Sequence, residues 1–227
     1  MRSQFVDKFN HDPDAAGYDV EVRDEADPIR AGYEAALRWV ASEAGVRGSD
    51  RVLELGSGTG NLTALLGPAK EIVCVDVSRE MNAIARDKVD SLGWATGTKL
   101  RWLEADLLEA LERVEGPFDA VASTYAVHHL TDDEKDELFA GLRRLLGPGG
   151  RVVFGDLAFE SEASRREVLA KLRAAGDAGS LELAETIEDE FFWDLERATS
   201  TLRRLGFAVR VRRFSELSWG VAAMLFS

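Results

Sequence analysis

A short apolar run that ends in three alternating glycines constrains this chain more than any other feature: Val52-Leu53-Glu54-Leu55-Gly56-Ser57-Gly58-Thr59-Gly60-Asn61. The run has the length of a buried strand, and a helical pattern resumes over 61–66. Glycine reaches backbone angles closed to other residues and lets a ligand approach the main chain. A helix start just beyond exposes N–H groups that have no partner within the helix. Together these features make a cradle at the carboxyl end of a strand, where open α/β sheets bind ligands.

The pattern around the loop supports such a sheet. Strands are expected at 51–55, 71–75, 99–104, 118–123 and 151–155, alternating with helices at 61–66, 79–92 and 131–146. Ser78 suits a helix N-cap. Asp106/Glu109 and Thr131/Glu134 both have capping-box spacing. Pro148-Gly149-Gly150 reads as a turn. Beyond it come helices at 160–175 and 186–205, the second ended by Gly206, and two strands at 207–213 and 219–226 that suit an antiparallel pair. Upstream, 1–28 is polar and irregular with Phe5, Phe9 and Tyr18 scattered through it, and a helical pattern spans 29–44. The expected fold is α/β and doubly wound, with a mostly parallel seven-stranded sheet, an antiparallel C-terminal strand and a small helical cap. Residues 1–45 form an arm and cap helix, 46–227 the α/β domain with 157–190 as a lid insertion, all in one structural domain.

Composition narrows the partners. A chain of 227 residues with 45% hydrophobic content can bury one sizeable core. A formal charge of −13 opposes nucleic acid, whose phosphates demand a concentrated basic surface, and anionic membranes. The lone Cys74 lies in an apolar run and reads as a small buried hydrophobe. No stretch has signal-peptide character or membrane-spanning length, so a cytoplasmic protein is expected. With three histidines, two of them adjacent, no metal site is expected.

Two acids follow the glycine loop in order. Asp76 comes twenty residues after Gly56, at the end of the second strand, where a carboxylate accepts two hydrogen bonds from a ribose diol. Asp106 ends the third strand in the same way and can accept from an adenine amino group. Glu54-Leu55-Gly56-Ser57-Gly58-Thr59-Gly60 resembles the E/D-x-G-x-G-x-G motif of class I, Rossmann-like S-adenosylmethionine methyltransferases. Asp76-Val77 and Met81 match the family's ribose-binding acid and adenine-packing residue. Asp106-Leu107 matches its adenine-edge pair, and Phe118-Asp119-Ala120-Val121 its fourth-strand motif. His128-His129-Leu130 resembles the sequence that follows that strand in many small-molecule members, and Leu146-Gly147-Pro148-Gly149-Gly150 the turn before strand five. The resemblance covers about 46–154.

The resemblance implies S-adenosylmethionine as cofactor, S-adenosylhomocysteine as product and a small-molecule O, N or S acceptor. It implies cofactor contacts from Glu54, Gly56, Ser57, Gly58, Gly60, Asn61, Asp76, Val77, Met81, Asp106, Leu107, Ser123 and Tyr18. Tyr125 and His128 are the catalytic candidates; for His128, a hydrogen bond to backbone is the competing reading. Tyr18 is placed either over the sulfonium or in ordinary packing. Asp156 either faces the acceptor or caps a helix, and Asn10 and His11 stay unassigned. Two other readings stand. A nicotinamide oxidoreductase would carry G-x-G-x-x-G, and a carboxylate at Glu54 would repel its pyrophosphate. A non-catalytic sensor of the same cofactor would carry the same motif. Base-methylating enzymes place an N/D-P-P-Y/F/W motif where this chain reads Ser123-Thr124-Tyr125-Ala126, so a nucleic-acid substrate is disfavoured. The molecule is expected to be a monomer or homodimer.

Overall fold

The computed structural model describes residues 2–9, 12 and 15–226; Asn10 and His11 lie outside them. A helix α1 (Tyr18–Glu21) and the cap helix α2 (Tyr33–Ala44) lead into the alternation β1 (Arg51–Leu55), α3 (Thr63–Leu66), β2 (Glu71–Asp76), α4 (Arg79–Asp90), β3 (Lys99–Glu104), α5 (Leu107–Arg113), β4 (Phe118–Thr124), α6 (Asp132–Leu145) and β5 (Leu146–Phe159). Then come α7 (Glu162–Ala175), α8 (Ala178–Asp189), β6 (Trp193–Asp194), α9 (Leu195–Arg204), β7 (Phe207–Arg213) and β8 (Ser218–Leu225).

The main sheet runs β3-β2-β1-β4-β5-β8-β7, with β6 pairing off this path on β5, so the sheet has eight strands where seven were expected. Only β8 is reversed, lying antiparallel to both β5 and β7. Strand alternation divides the side chains between two cores. Leu53, Leu55, Val73 and Val121 face one layer; Val52, Ile72, Cys74, Ala120 and Ala122 face the other, under α2. Strand order reverses between β1 and β4, which opens a crevice at their carboxyl ends.

The caps are where the spacing puts them. Ser78 Oγ accepts from Met81 N, and Thr131 with Glu134 closes a reciprocal capping box. Asp106 caps α5 through Leu108 and Glu109 N–H, whereas the Glu109 side chain turns to Arg113 instead. Three expectations change. The helix at 29–44 begins only at Tyr33, because Gly32 at φ 84° breaks it. The turn at 148–150 is a bulge inside a longer β5: Phe118 pairs with Leu146 and Ala120 already with Arg151. The single helix over 186–205 is two helices. Trp193, 1% exposed, drops between Phe139 and Phe154 at ring distances of 5.5 and 5.2 Å, and Asp194 then caps a new helix through Arg197 N. Burying a large aromatic outweighs helix propensity there.

Candidate functional site

The three loop glycines sit at φ 64°, 51° and 79°, and each has its own reason. A Cβ on Gly56 would lie 2.2 Å from the Ala126 Cβ, because β1 and β4 converge at the crevice; one on Gly60 would press on Ala85 of α4 at 3.1 Å. Gly58 faces open space, leaving bare backbone toward the crevice. The following helix α3 starts only at Thr63 and is four residues long, so the cradle is made by the loop itself rather than by a helix start.

Asp76 Oδ2 accepts from Gly58 N at 2.7 Å and Oδ1 from Ser78 N at 2.8 Å. Burial pushes this carboxyl up to about 6, against the pull of those two amides. Asp106 Oδ1 accepts from Leu108, Glu109 and Ser3 N–H, while its Oδ2 is buried with no hydrogen-bond partner among the described residues. The Ser57 and Ser123 hydroxyls are buried and equally unpartnered. Unmatched buried polar atoms are rare enough to need an explanation, and these three stand at the carboxyl ends of β1, β3 and β4.

A cleft of about 730 Å³ lies against these groups. Of the expected cofactor residues, Gly56, Gly58, Asp76, Val77, Met81, Asp106, Leu107 and Tyr18 line it, and Tyr125 joins them. Glu54 does not. It is 1% exposed and buried beside Thr63 and Cys74, with Cys74 Sγ 3.8 Å from Oε2. Burial pushes its carboxyl up to about 8, so at neutral pH it is uncharged and supplies no field against a pyrophosphate. Ser57, Gly60 and Ser123 stand behind the wall, Gly60 packed on α4. Asn61 turns away altogether: its side-chain amide donates to Asp19 Oδ1 and accepts from Lys88 Nζ at 2.6 Å. That polar knot, with Thr59 donating to Asp19, ties α1 to the loop. Burial alone would raise Asp19, but Lys88, Thr59 and Asn61 more than offset it and hold it below its usual range.

The catalytic candidates are also redistributed. Tyr125, at φ 50°, is the one non-glycine residue with left-handed backbone among the described residues, a strained conformation that clusters at functional sites. Its ring packs on Tyr33 at 5.0 Å, its hydroxyl lies 2.7 Å from Ser218 Oγ, and burial raises the phenol far above neutrality. His129, not His128, lines the cleft. His128 sits behind it, buried, with Nδ1 2.5 Å from Asp156 Oδ1. Asp156 Oδ2 also accepts from the Val127 and His128 N–H groups, so this carboxylate caps the His turn and does not line the cleft.

The roof of the cleft comes from the N-terminal arm. Ser3, Val6 and Phe9 of the N-terminal arm line the cleft, and no residue of 157–190 does. Ser3 N donates to Asp106, Gln4 N to Glu134 Oε1 at 2.8 Å, and Phe9 stacks on His129 with centroids 4.3 Å apart. Aromatic residues in a polar segment were the available signal, without a partner to assign them to.

A family model described as a methyltransferase domain matches residues 52–150, which contain the glycine loop and both strand-end acids. An uncharacterized methyltransferase of Geobacillus kaustophilus is 35% identical over 230 aligned residues, covering 99% of this chain and 98% of that protein. The chain belongs to this methyltransferase family. Two solved structures share the methyltransferase's fold. Magnesium protoporphyrin IX methyltransferase from Synechocystis, with bound S-adenosylhomocysteine, superposes with a TM-score of 0.67 at 18% identity, covering 97% of each chain. The N-methyltransferase NodS from Bradyrhizobium japonicum, also with S-adenosylhomocysteine, gives 0.63 at 16% identity, covering 98% of this chain and 97% of that one. Among the described residues, no helix of the methyltransferase is long and apolar enough to cross a membrane.

Proposed function

We propose that this methyltransferase takes S-adenosylmethionine in the crevice between β1 and β4 and passes the methyl group to an O, N or S atom of a small molecule under the N-terminal arm. The observation that carries the reading is Asp106: a buried carboxylate with one oxygen unpartnered, facing a cleft whose opposite wall is bare glycine backbone. An adenosine fits those groups. The exocyclic amine has an acceptor in Asp106 Oδ2, the ring nitrogen a donor in Leu107 N–H at the start of α5, and the ribose diol the Asp76 carboxylate. Met81 and Val77 supply apolar contact.

When bound, the cofactor supplies a methyl group already activated on sulfonium sulfur, so the chain's own work is alignment and exclusion of water. Positioning alone contributes as much as ~7–11 kcal/mol in well-oriented reactions. Gly58 and Asp76 hold the donor, Tyr18 and Phe9 close over it, and Tyr125 and His129 bound the space left for the acceptor. The phenol of Tyr18 is held neutral by burial, which keeps its ring an uncharged wall.

Calorimetric titration with S-adenosylhomocysteine and with NAD, followed by transfer of labelled methyl to a panel of thiols, amines, phenols and carboxylates, tests the proposal. Binding of S-adenosylhomocysteine and turnover on at least one class are expected. NAD binding in its place would refute the donor, and binding without any transfer would identify a sensor.

A further inference from the structure

Behind the cleft wall, the His128–His129 turn meets Glu190, 62 residues further along the chain. One ligand atom from each lies within 4.8 Å of the others. His128 is held by Asp156, whose Oδ1 lies 2.5 Å from Nδ1, so that Nε2 is the ring nitrogen turned toward Glu190. Nε2 faces Glu190 Oε2 at 3.6 Å, too long for a hydrogen bond. Oε2 is buried and has no other partner among the described residues. A cation between Nε2 and Oε2 would be held by both and would give the buried Oε2 the partner it lacks. A zinc ion about 2.0–2.1 Å from each atom would see them at an angle of about 120°, close to tetrahedral.

The surroundings hold this geometry. Phe191 N donates to His128 O at 3.1 Å, and the buried Lys135 Nζ donates to both Leu130 O and Phe191 O at 2.6 Å. The His turn and the Glu190 segment are therefore strapped together by main-chain contacts that do not use the three side chains. The Asp156–His128 pair is the outer-shell arrangement that fixes a metal-ligating imidazole. A second hollow of about 610 Å³, lined by Asp132, Glu162, Glu188 and Glu190 along with Arg165, opens on the far side of Glu190 and offers an acid-lined approach.

We propose that His128, His129 and Glu190 bind one divalent ion of the zinc class, with a fourth position open toward the cleft. Two imidazoles and one carboxylate suit zinc and its neighbours in the transition series and not magnesium or calcium. Because His129 belongs to the cleft wall, the open position adjoins the acceptor space; that part rests on the methyl-transfer reading above. An acceptor thiol or hydroxyl bound there would lose its proton to solvent more easily. Its lone pair would then form the new bond to carbon while the carbon–sulfur bond of the donor breaks and leaves its electron pair on sulfur.

The experiment uses the full chain stripped with a chelator. Zinc chloride is titrated calorimetrically, and cobalt(II) chloride by visible absorption. One ion per chain is expected, with the intense visible bands of a four-coordinate cobalt site. Adding 2-mercaptoethanol to the cobalt form should produce a thiolate-to-metal band, reporting the open position. His129→Ala and Glu190→Gln should abolish stoichiometric binding, and Asp156→Asn should weaken it about 10–100-fold. S-adenosylhomocysteine titration of Glu190→Gln, a residue that does not line the cleft, reports whether the fold and donor site survive independently of the metal. No stoichiometric zinc or cobalt binding by the native chain, or undiminished binding by both His129→Ala and Glu190→Gln, overturns the site. A cobalt form blind to the thiol overturns its access to the acceptor.

Discussion

Glu54 is the residue whose chemistry depends most on where the fold puts it. An exposed carboxylate beside the loop would be charged at neutral pH; at 1% exposure, burial outweighs the hydrogen bonds from Thr63 and Cys74 and holds its proton up to about 8. The sign of the linkage follows. Between its ordinary value of 4.5 and about 8, the folded chain carries a proton that the unfolded chain has lost, so stability falls as pH rises through that window. Each unit is worth about 1.4 kcal/mol. Glu54→Gln keeps the shape without the ionisation, so its stability relative to the native chain should climb between pH 5 and pH 8, by a few kcal/mol, in urea melts at the two values. An advantage that does not grow with pH would mean the carboxyl is charged in the fold. Gly56 illustrates the opposite case, a residue legible from the sequence alone. Its Cβ would meet Ala126 at 2.2 Å in backbone already at φ 64°, so Gly56→Ala should lose S-adenosylhomocysteine binding at least tenfold by calorimetry.

At the scale of elements, the capped helices and the five parallel strands follow from local spacing, since capping residues and period-2 burial are short-range signals. The break at 190–194 does not. Nothing in the apolar pattern of that stretch says that Trp193 leaves the helix, because its partners Phe139 and Phe154 come from α6 and β5. Trp193→Ala should cost about 3–5 kcal/mol in urea unfolding, the cost of vacating a large aromatic site. A loss below about 1 kcal/mol would mean that β6 and the start of α9 do not depend on this anchor. The arm presents the same difficulty: Ser3 meets Asp106 across 103 residues, and Phe9 meets His129 across 120, separations no local pattern encodes.

Across the whole molecule, a formal charge of −13 bears on stability as well as on partners. Self-repulsion in the compact state is screened by salt, so the melting temperature should rise between 10 and 150 mM sodium chloride, roughly the range over which the Debye length falls from 30 to 8 Å. A flat profile would place the charge in locally compensated pairs. Saturating S-adenosylhomocysteine should stabilise the fold by about 2.7 kcal/mol at a hundredfold excess over its Kd, a shift of roughly 5–10 °C for a chain of this size. By itself the sequence determined the parallel sheet, the glycine cradle and the two acids at successive strand ends, because each depends on residues adjacent in the chain and on the invariant geometry of strand, turn and helix. Only the tertiary structure decided that Glu54 is dry, that the arm and not 157–190 roofs the cleft, and that His129 faces it while His128 turns to Asp156 and Glu190. Those outcomes depend on which distant surfaces exclude water from one another, and burial and charge pairing of that kind exist only once the chain has closed on itself.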